Sequence, residues 1–108
     1  MAEEKNFETK VKKYIESVGG WQVKFFANRM TKTGIPDILA CIDGHFVAVE
    51  VKAQNGTPSD LQLYHCAKIR KAGGFAFILY PSGFTKFKSF IEGLKIEKYN
   101  KEMEMILK

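Results

Sequence analysis

The dipeptide Asp43-Gly44 stands between two runs rich in apolar and β-branched residues, Asp37–Ile42 and His45–Ala53. This is the strongest short-range signal for a β-hairpin, because a two-residue type I′ turn needs positive φ at both central positions. A hairpin closed there has one register. Ile42 faces His45, Cys41 faces Phe46, Leu39 faces Ala48, and Asp37 faces Glu50. Side chains alternate along a strand, so Asp37, Leu39, Cys41, Phe46, Ala48, Glu50 and Lys52 share one face, and Ile38, Ala40, Val47, Val49 and Val51 share the other. Both faces are largely apolar, which predicts strands buried on both sides with the charged residues gathered at one end.

The other elements follow from periodicity and punctuation. Phe7, Val11, Tyr14, Ile15 and Val18 recur at spacings of three and four and predict an amphipathic helix from Glu3 to Val18, closed by Gly19. Trp21–Phe26 reads as a strand and Asn28–Pro36 as a polar loop. Thr57 is a candidate N-cap, with Pro58 at the first helical position and Asp60 reaching back, so a helix is expected over Pro58–Ala72 with Gly73 as its stop. Phe75–Tyr80 has the apolar run of a strand buried on both faces, and Thr85–Leu94 predicts a further helix. The tail, Lys95–Lys108, is compatible with helix or strand. The order α-β-β-β-α-β-α implies a mixed sheet: an antiparallel meander, then a right-handed helical crossover to a fourth strand parallel to the third. With no repeat, low-complexity stretch or linker in 108 residues, one domain is expected over 1–108.

Composition narrows the function classes. Seventeen Lys+Arg against 12 Asp+Glu give a formal charge of +5, which makes nucleic acid the first partner to consider. A hydrophobic fraction of 45% excludes extensive disorder. Two Cys without a signal-peptide h-region argue against a disulfide framework, and no apolar run nears the ~20 residues of a membrane helix. A soluble, reduced, cytoplasmic protein is expected. Cys41 and Cys66 read as small core residues without zinc-ligand spacing, and His45 and His65 lack a Ser or Cys partner for nucleophilic catalysis. Trp21 and the nine Phe read as core, without the interleaved basic pattern of a base-stacking sheet. No Gly-rich phosphate loop opens a helix, which disfavours a small-ligand α/β protein.

Two carboxylates in direct register repel each other. Their placement with Lys52 at the end of a buried hairpin makes sense if a divalent cation neutralises them, and hard oxygen ligands suit Mg²⁺ or Mn²⁺. The plainer reading is that Asp37 ends the loop after Pro36, while Glu50 and Lys52 form an ordinary ion pair at a strand end.

Pro36-Asp37, twelve intervening residues and Glu50-Val51-Lys52 resemble the signature of the PD-(D/E)XK nuclease superfamily. The wider context is similar to its virus-type replication-repair nuclease branch, the VRR-NUC domain. That context is Gly34-Ile35-Pro36-Asp37, the Glu50-Val51-Lys52 strand, and Gln62 near the start of a helix ending in Gly73-Gly74, and the likeness runs from the first helix to about Tyr80.

The resemblance implies a restriction-endonuclease-like α/β fold, a mixed sheet with an αβββαβ core flanked by helices. It also implies a DNA endonuclease that hydrolyses phosphodiesters with Mg²⁺ or Mn²⁺. Asp37, Glu50 and the backbone carbonyl of Val51 would bind the metal, Lys52 would orient or help deprotonate the attacking water, and Gln62 would lie beside the site. Such nucleases often bring an acid from the first helix. Glu8, bordering the buried stripe, is the candidate, beside the reading of a solvated acid among lysines; Glu4 and Glu16 match less well. Lys24, Arg29 and Lys32, with Gly34, form a candidate DNA-binding rim, whereas Lys68, Arg70 and Lys71 complement the dipole of their helix.

Small members of this branch look like phage or mobile-element proteins that act in the host cytoplasm on branched DNA such as Holliday junctions, commonly as homodimers. A two-fold dimer would double the DNA-binding surface of so short a chain. The alternative is a binding module that keeps the fold and only holds DNA or a protein, with the acids and Lys52 as a structural ion cluster. Setting aside Glu8, Asp37, Glu50 and Lys52 leaves 16 basic and 9 acidic residues, so a metal-neutralised site would lie in surroundings of +7.

Overall fold

The computed structural model describes residues 2–26 and 33–94. In chain order it contains α1 (Ala2–Ser17), β1 (Trp21–Lys24), β2 (Ile38–Ile42), β3 (His45–Val51), α2 (Asp60–Lys71), β4 (Phe75–Leu79) and α3 (Phe84–Gly93), with a 3-10 turn at Pro81–Gly83 before α3. The strands form one mixed sheet ordered β1-β2-β3-β4, antiparallel as far as β3 and parallel between β3 and β4. Element order and strand directions are those predicted, with boundaries moved by a residue or two. The Lys95–Lys108 tail lies outside the described residues. Among those described, no helix is long and apolar enough to cross a membrane.

The hairpin turn has the type I′ conformation, with φ of 49° at Asp43 and 82° at Gly44. It sets the expected register, from Ile42 opposite His45 to Ile38 opposite Val49. One further step brings Asp37 opposite Glu50. Asp37 is held there from the other side as well, since its carbonyl accepts the Phe25 N–H at 2.7 Å.

The two faces of the sheet are covered differently. Phe7, Val11 and Ile15 of α1 and Phe87 and Ile91 of α3 pack on the face that carries Ile38, Ala40, Ile42, Val47, Val49 and Val51. Edge-to-face ring contacts, Phe7 on Phe84 and Phe77 on Phe87, tie the two helices and β4 together. On the other face α2 lays Cys66 and Ile69 against Ala48 and Ala76. Its Arg70 also donates through Nε (2.9 Å) and Nη2 (2.6 Å) to the Ala76 carbonyl.

Burial on both faces therefore needs correction. A helix about 10 Å across covers roughly two strands spaced ~4.8 Å apart, and α2 lies over β3 and β4. Beyond its reach, Trp21, Cys41 and Phe46 line up across three strands. Trp21 is 64% and Phe46 46% exposed, and Cys41 is exposed too. Trp21, Phe26, Phe46 and Cys41 are thus not core residues, while Cys66 is buried as expected.

The start of α2 also differs from expectation. Ser59, not Thr57, is the N-cap: its Oγ accepts the Gln62 N–H at 3.1 Å, and Gln62 Oε1 accepts the Ser59 N–H at 2.8 Å. Both Thr57-x-x-Asp60 and Ser59-x-x-Gln62 have the spacing of a capping box. The longer Gln side chain reaches back to the cap amide more readily than Asp, and the helix starts where that reach exists.

Candidate active site

Glu50 is the one described acidic side chain deep inside the molecule, 2% exposed near the end of β3. Its Oε2 takes a hydrogen bond from Gln62 Nε2 at 3.0 Å and lies 3.5 Å from Lys52 Nζ. Its Oε1 is buried and, among the described residues, has no hydrogen-bond partner. Burial, the neighbouring charge of Asp37 and a hydrogen bond that the protonated acid shares with the Asp37 carboxyl, opposed by the charge and hydrogen bond of Lys52, raise the Glu50 carboxyl to a pKa of about 7. Once ionised, Glu50 meets Asp37 as a second anion, which offers Oε1 no donor. A carboxylate with an open oxygen in a dry site is costly, and a cation at that oxygen would remove the cost.

The surroundings explain how these groups meet. Ala48 and Ala76 present small side chains to α2, so the helix sits close to the sheet and its first turn stands beside the end of β3. Gln62 then serves two partners, the cap amide through Oε1 and Glu50 through Nε2. Gly34 has φ +81°, and a Cβ there would fall 2.8 Å from the Leu61 backbone carbon. The chain entering β2 is therefore pressed against the start of α2, and only glycine fits. On the other side of the site, the segment after Lys52 is pinned to the 3-10 turn. Gln54 Nε2 donates to Ser82 Oγ at 3.0 Å, and the Ser82 N–H donates to Gln54 Oε1 at 2.9 Å.

Glu8 also reaches this end of the sheet. Lys24 Nζ lies 2.8 Å from Glu8 Oε1 and 3.5 Å from Asp37 Oδ1, and Lys12 Nζ lies 3.5 Å from Glu8 Oε2. Burial alone would lower the Lys24 pKa, but the hydrogen bond to Glu8 and the charges of Asp37 and Glu8 outweigh it, so the ammonium is held above its ordinary value. Of the other first-helix acids, Glu16 accepts a hydrogen bond from Gln22 at 2.8 Å and belongs to the opposite end of β1.

The structure thus gathers Glu8, Lys24, Asp37, Glu50, Lys52 and Gln62 into one neighbourhood. Val51, between Glu50 and Lys52 in the chain, turns its side chain into the core on the other face. Arg29 and Lys32 lie outside the described residues. Lys24, read from the sequence as part of a DNA-binding rim, is engaged by two carboxylates. The signal for this was the alternation of β1: Lys24 pairs with Ile38 and so shares the face covered by α1, where Glu8 lies.

Among the described residues, no three His, Cys, Asp or Glu side chains gather closely enough to hold a metal ion by themselves. Mg²⁺ asks for less, commonly taking one or two carboxylates and completing its shell with water and phosphate oxygens. Asp37, Glu50 and the Val51 carbonyl are a hard oxygen set of that kind, and the unpartnered Glu50 oxygen fits a cation. The sequence matches no protein-family model and no curated protein.

Proposed function

We propose that this chain is a Mg²⁺- or Mn²⁺-dependent DNA endonuclease of the restriction-endonuclease-like class, related to VRR-NUC domains, that hydrolyses phosphodiester bonds in branched DNA such as Holliday junctions. The observation that carries this is Glu50, buried opposite Asp37 with one oxygen served by Lys52 and Gln62 and the other without a partner among the described residues. In a closed structural ion cluster both oxygens of the ionised Glu50 would meet a donor or a cation, because an unmet buried acceptor costs about 1–3 kcal/mol. That weighs against a binding-only module. The succession of α1, three antiparallel strands, α2 and a parallel β4 agrees with the αβββαβ core of such nucleases.

Phosphodiester hydrolysis needs a water aligned with the phosphorus, a group to direct its proton, and positive charge beside the oxygens where negative charge grows. A Mg²⁺ or Mn²⁺ ion held by Asp37, Glu50 and the Val51 carbonyl would supply Lewis-acid polarisation of the phosphoryl group. Lys52 brings its ammonium to the same face as the two acids, where it orients the water and meets the growing charge. Gln62 fixes Glu50 Oε2 and so the aim of Oε1. The surplus of basic residues draws DNA towards this acidic notch. A homodimer would set two such sites against opposite strands of a junction.

The test is cleavage of a four-way junction and of a linear duplex with Mg²⁺ or Mn²⁺, using the wild type, Asp37→Ala and Lys52→Ala. Preferential cutting of the junction is expected, with each substitution slowing it about 100-fold or more. Cleavage that survives both substitutions overturns the assignment. A binding-only module would instead show no Mn²⁺ affinity dependent on Asp37 and Glu50.

A further inference from the structure

The acids of the site fall into two sets with different partners. Both oxygens of Glu8 are engaged, Oε1 by Lys24 at 2.8 Å and Oε2 by Lys12 at 3.5 Å, and Lys24 also reaches Asp37 Oδ1 at 3.5 Å. Among the described residues, Glu50 is met through Oε2 and keeps a buried Oε1 without a hydrogen-bond partner. One position between two carboxylates is thus filled by the protein's own cation, while the other has an open oxygen.

We propose that the Lys24 ammonium is a built-in cation occupying the place between Glu8 and Asp37, so that the chain takes a single divalent ion, at Asp37 and Glu50, and none between Glu8 and Asp37. This positioning role rests on the metal-dependent reading above. Lys24 pairs with Ile38 and so lies with Glu8 on the face covered by α1, and from the end of β1 its long side chain also comes within 3.5 Å of Asp37 Oδ1, whose residue sits on the alternate face just before β2. Its side chain is 25% exposed and those of Glu8 and Asp37 are 14% and 24% exposed, so water screens these contacts only in part. A tethered ammonium is present at a fixed high local concentration, and a free ion must displace it to enter. Displacement would leave Lys24 half-buried without its two carboxylates.

Mn²⁺ binding to the full chain tests this, measured by calorimetry and by the electron paramagnetic resonance signal of free Mn²⁺ in the wild type, Glu8→Gln, Lys24→Gln and the double variant. The wild type should bind one ion per chain, and Glu8→Gln should alter its affinity by no more than about twofold, well below the tenfold or greater loss typical of removing a group that supports a metal. Lys24→Gln should admit a second ion, which the double variant loses again. A wild type that binds two ions, with one lost in Glu8→Gln, overturns the proposal, as does a folded Lys24→Gln with unchanged stoichiometry. If circular dichroism shows Lys24→Gln unfolded, Glu8→Gln decides alone: unaltered single-ion binding supports Lys24, and a loss of about tenfold overturns it. A wild type with no Mn²⁺ affinity sensitive to Asp37→Ala sinks the metal-dependent reading together with it. Single-ion binding with an unresponsive Lys24→Gln sinks the role of Lys24 alone.

Discussion

β3 presents two very different surfaces to its two sides. Val47, Val49 and Val51 enter the core beneath α1 and α3 without exception. Their alternating neighbours change character along the strand, from exposed Phe46 through buried Ala48 to buried Glu50. The first face is uniform and built for burial. The second is divided into an open apolar end, a thin middle that lets α2 approach, and a charged end where the chemistry is proposed to occur. The core residues and the proposed site residues thus alternate along one strand, and a register slip of one residue would exchange them. The turn at Asp43-Gly44 guards against that slip.

Substitutions can break this contrast in order of expected size. Ile38→Ala, in the uniform core, should cost about 3 kcal/mol in chemical denaturation; a loss below about 1 kcal/mol would mean that this face does not carry the stability. Next comes Glu50→Gln. The native carboxyl titrates near 7, above its ordinary value, so between those values the native state holds the proton that the unfolded state has released. Stability must then fall as pH rises through this window. In metal-free buffer Glu50→Gln should therefore be more stable than wild type by on the order of 2 kcal/mol at pH 8, with the gap closing towards pH 4. Equal melting temperatures at pH 8 would remove the case for a destabilised acid. Gln62→Ala should cost about 1 kcal/mol, through the lost cap and the lost donor to Glu50. Smallest of all, Phe46→Ser at the open end should change stability by less than about 0.5 kcal/mol, and a larger loss would show that Phe46 is covered.

Much of this layout was legible in the sequence because its strongest signals are local. Asp43-Gly44 fixed the hairpin, and counting outwards from it brought Asp37, Glu50 and Lys52 together before any fold was known. The resemblance pointed to Gln62 as a neighbour of Glu50, although the capping box that orients it is centred on Ser59 and not on the expected Thr57. What the sequence did not reveal depends on which element covers which strand. Trp21 and Cys41 have core-like side chains, yet they lie where α2 does not reach. Lys24 looks like one more surface lysine until β1 is registered against β2 and α1 is laid over that face. Such placements depend on tertiary packing and leave no local pattern.

The side-chain amide of Gln62 acts as one more peptide group added to the start of α2. Read from the Ser59 N–H through its own C=O and N–H to Glu50 Oε2, the hydrogen bonds all run in one direction. Each link polarises the next. The partial positive charge of the helix start is thereby carried off its axis and delivered to a chosen carboxylate oxygen. An amide accepts at its oxygen and donates at its nitrogen in a single protonation state, so a relay of polarity, and not bulk or charge, suits Gln to this position.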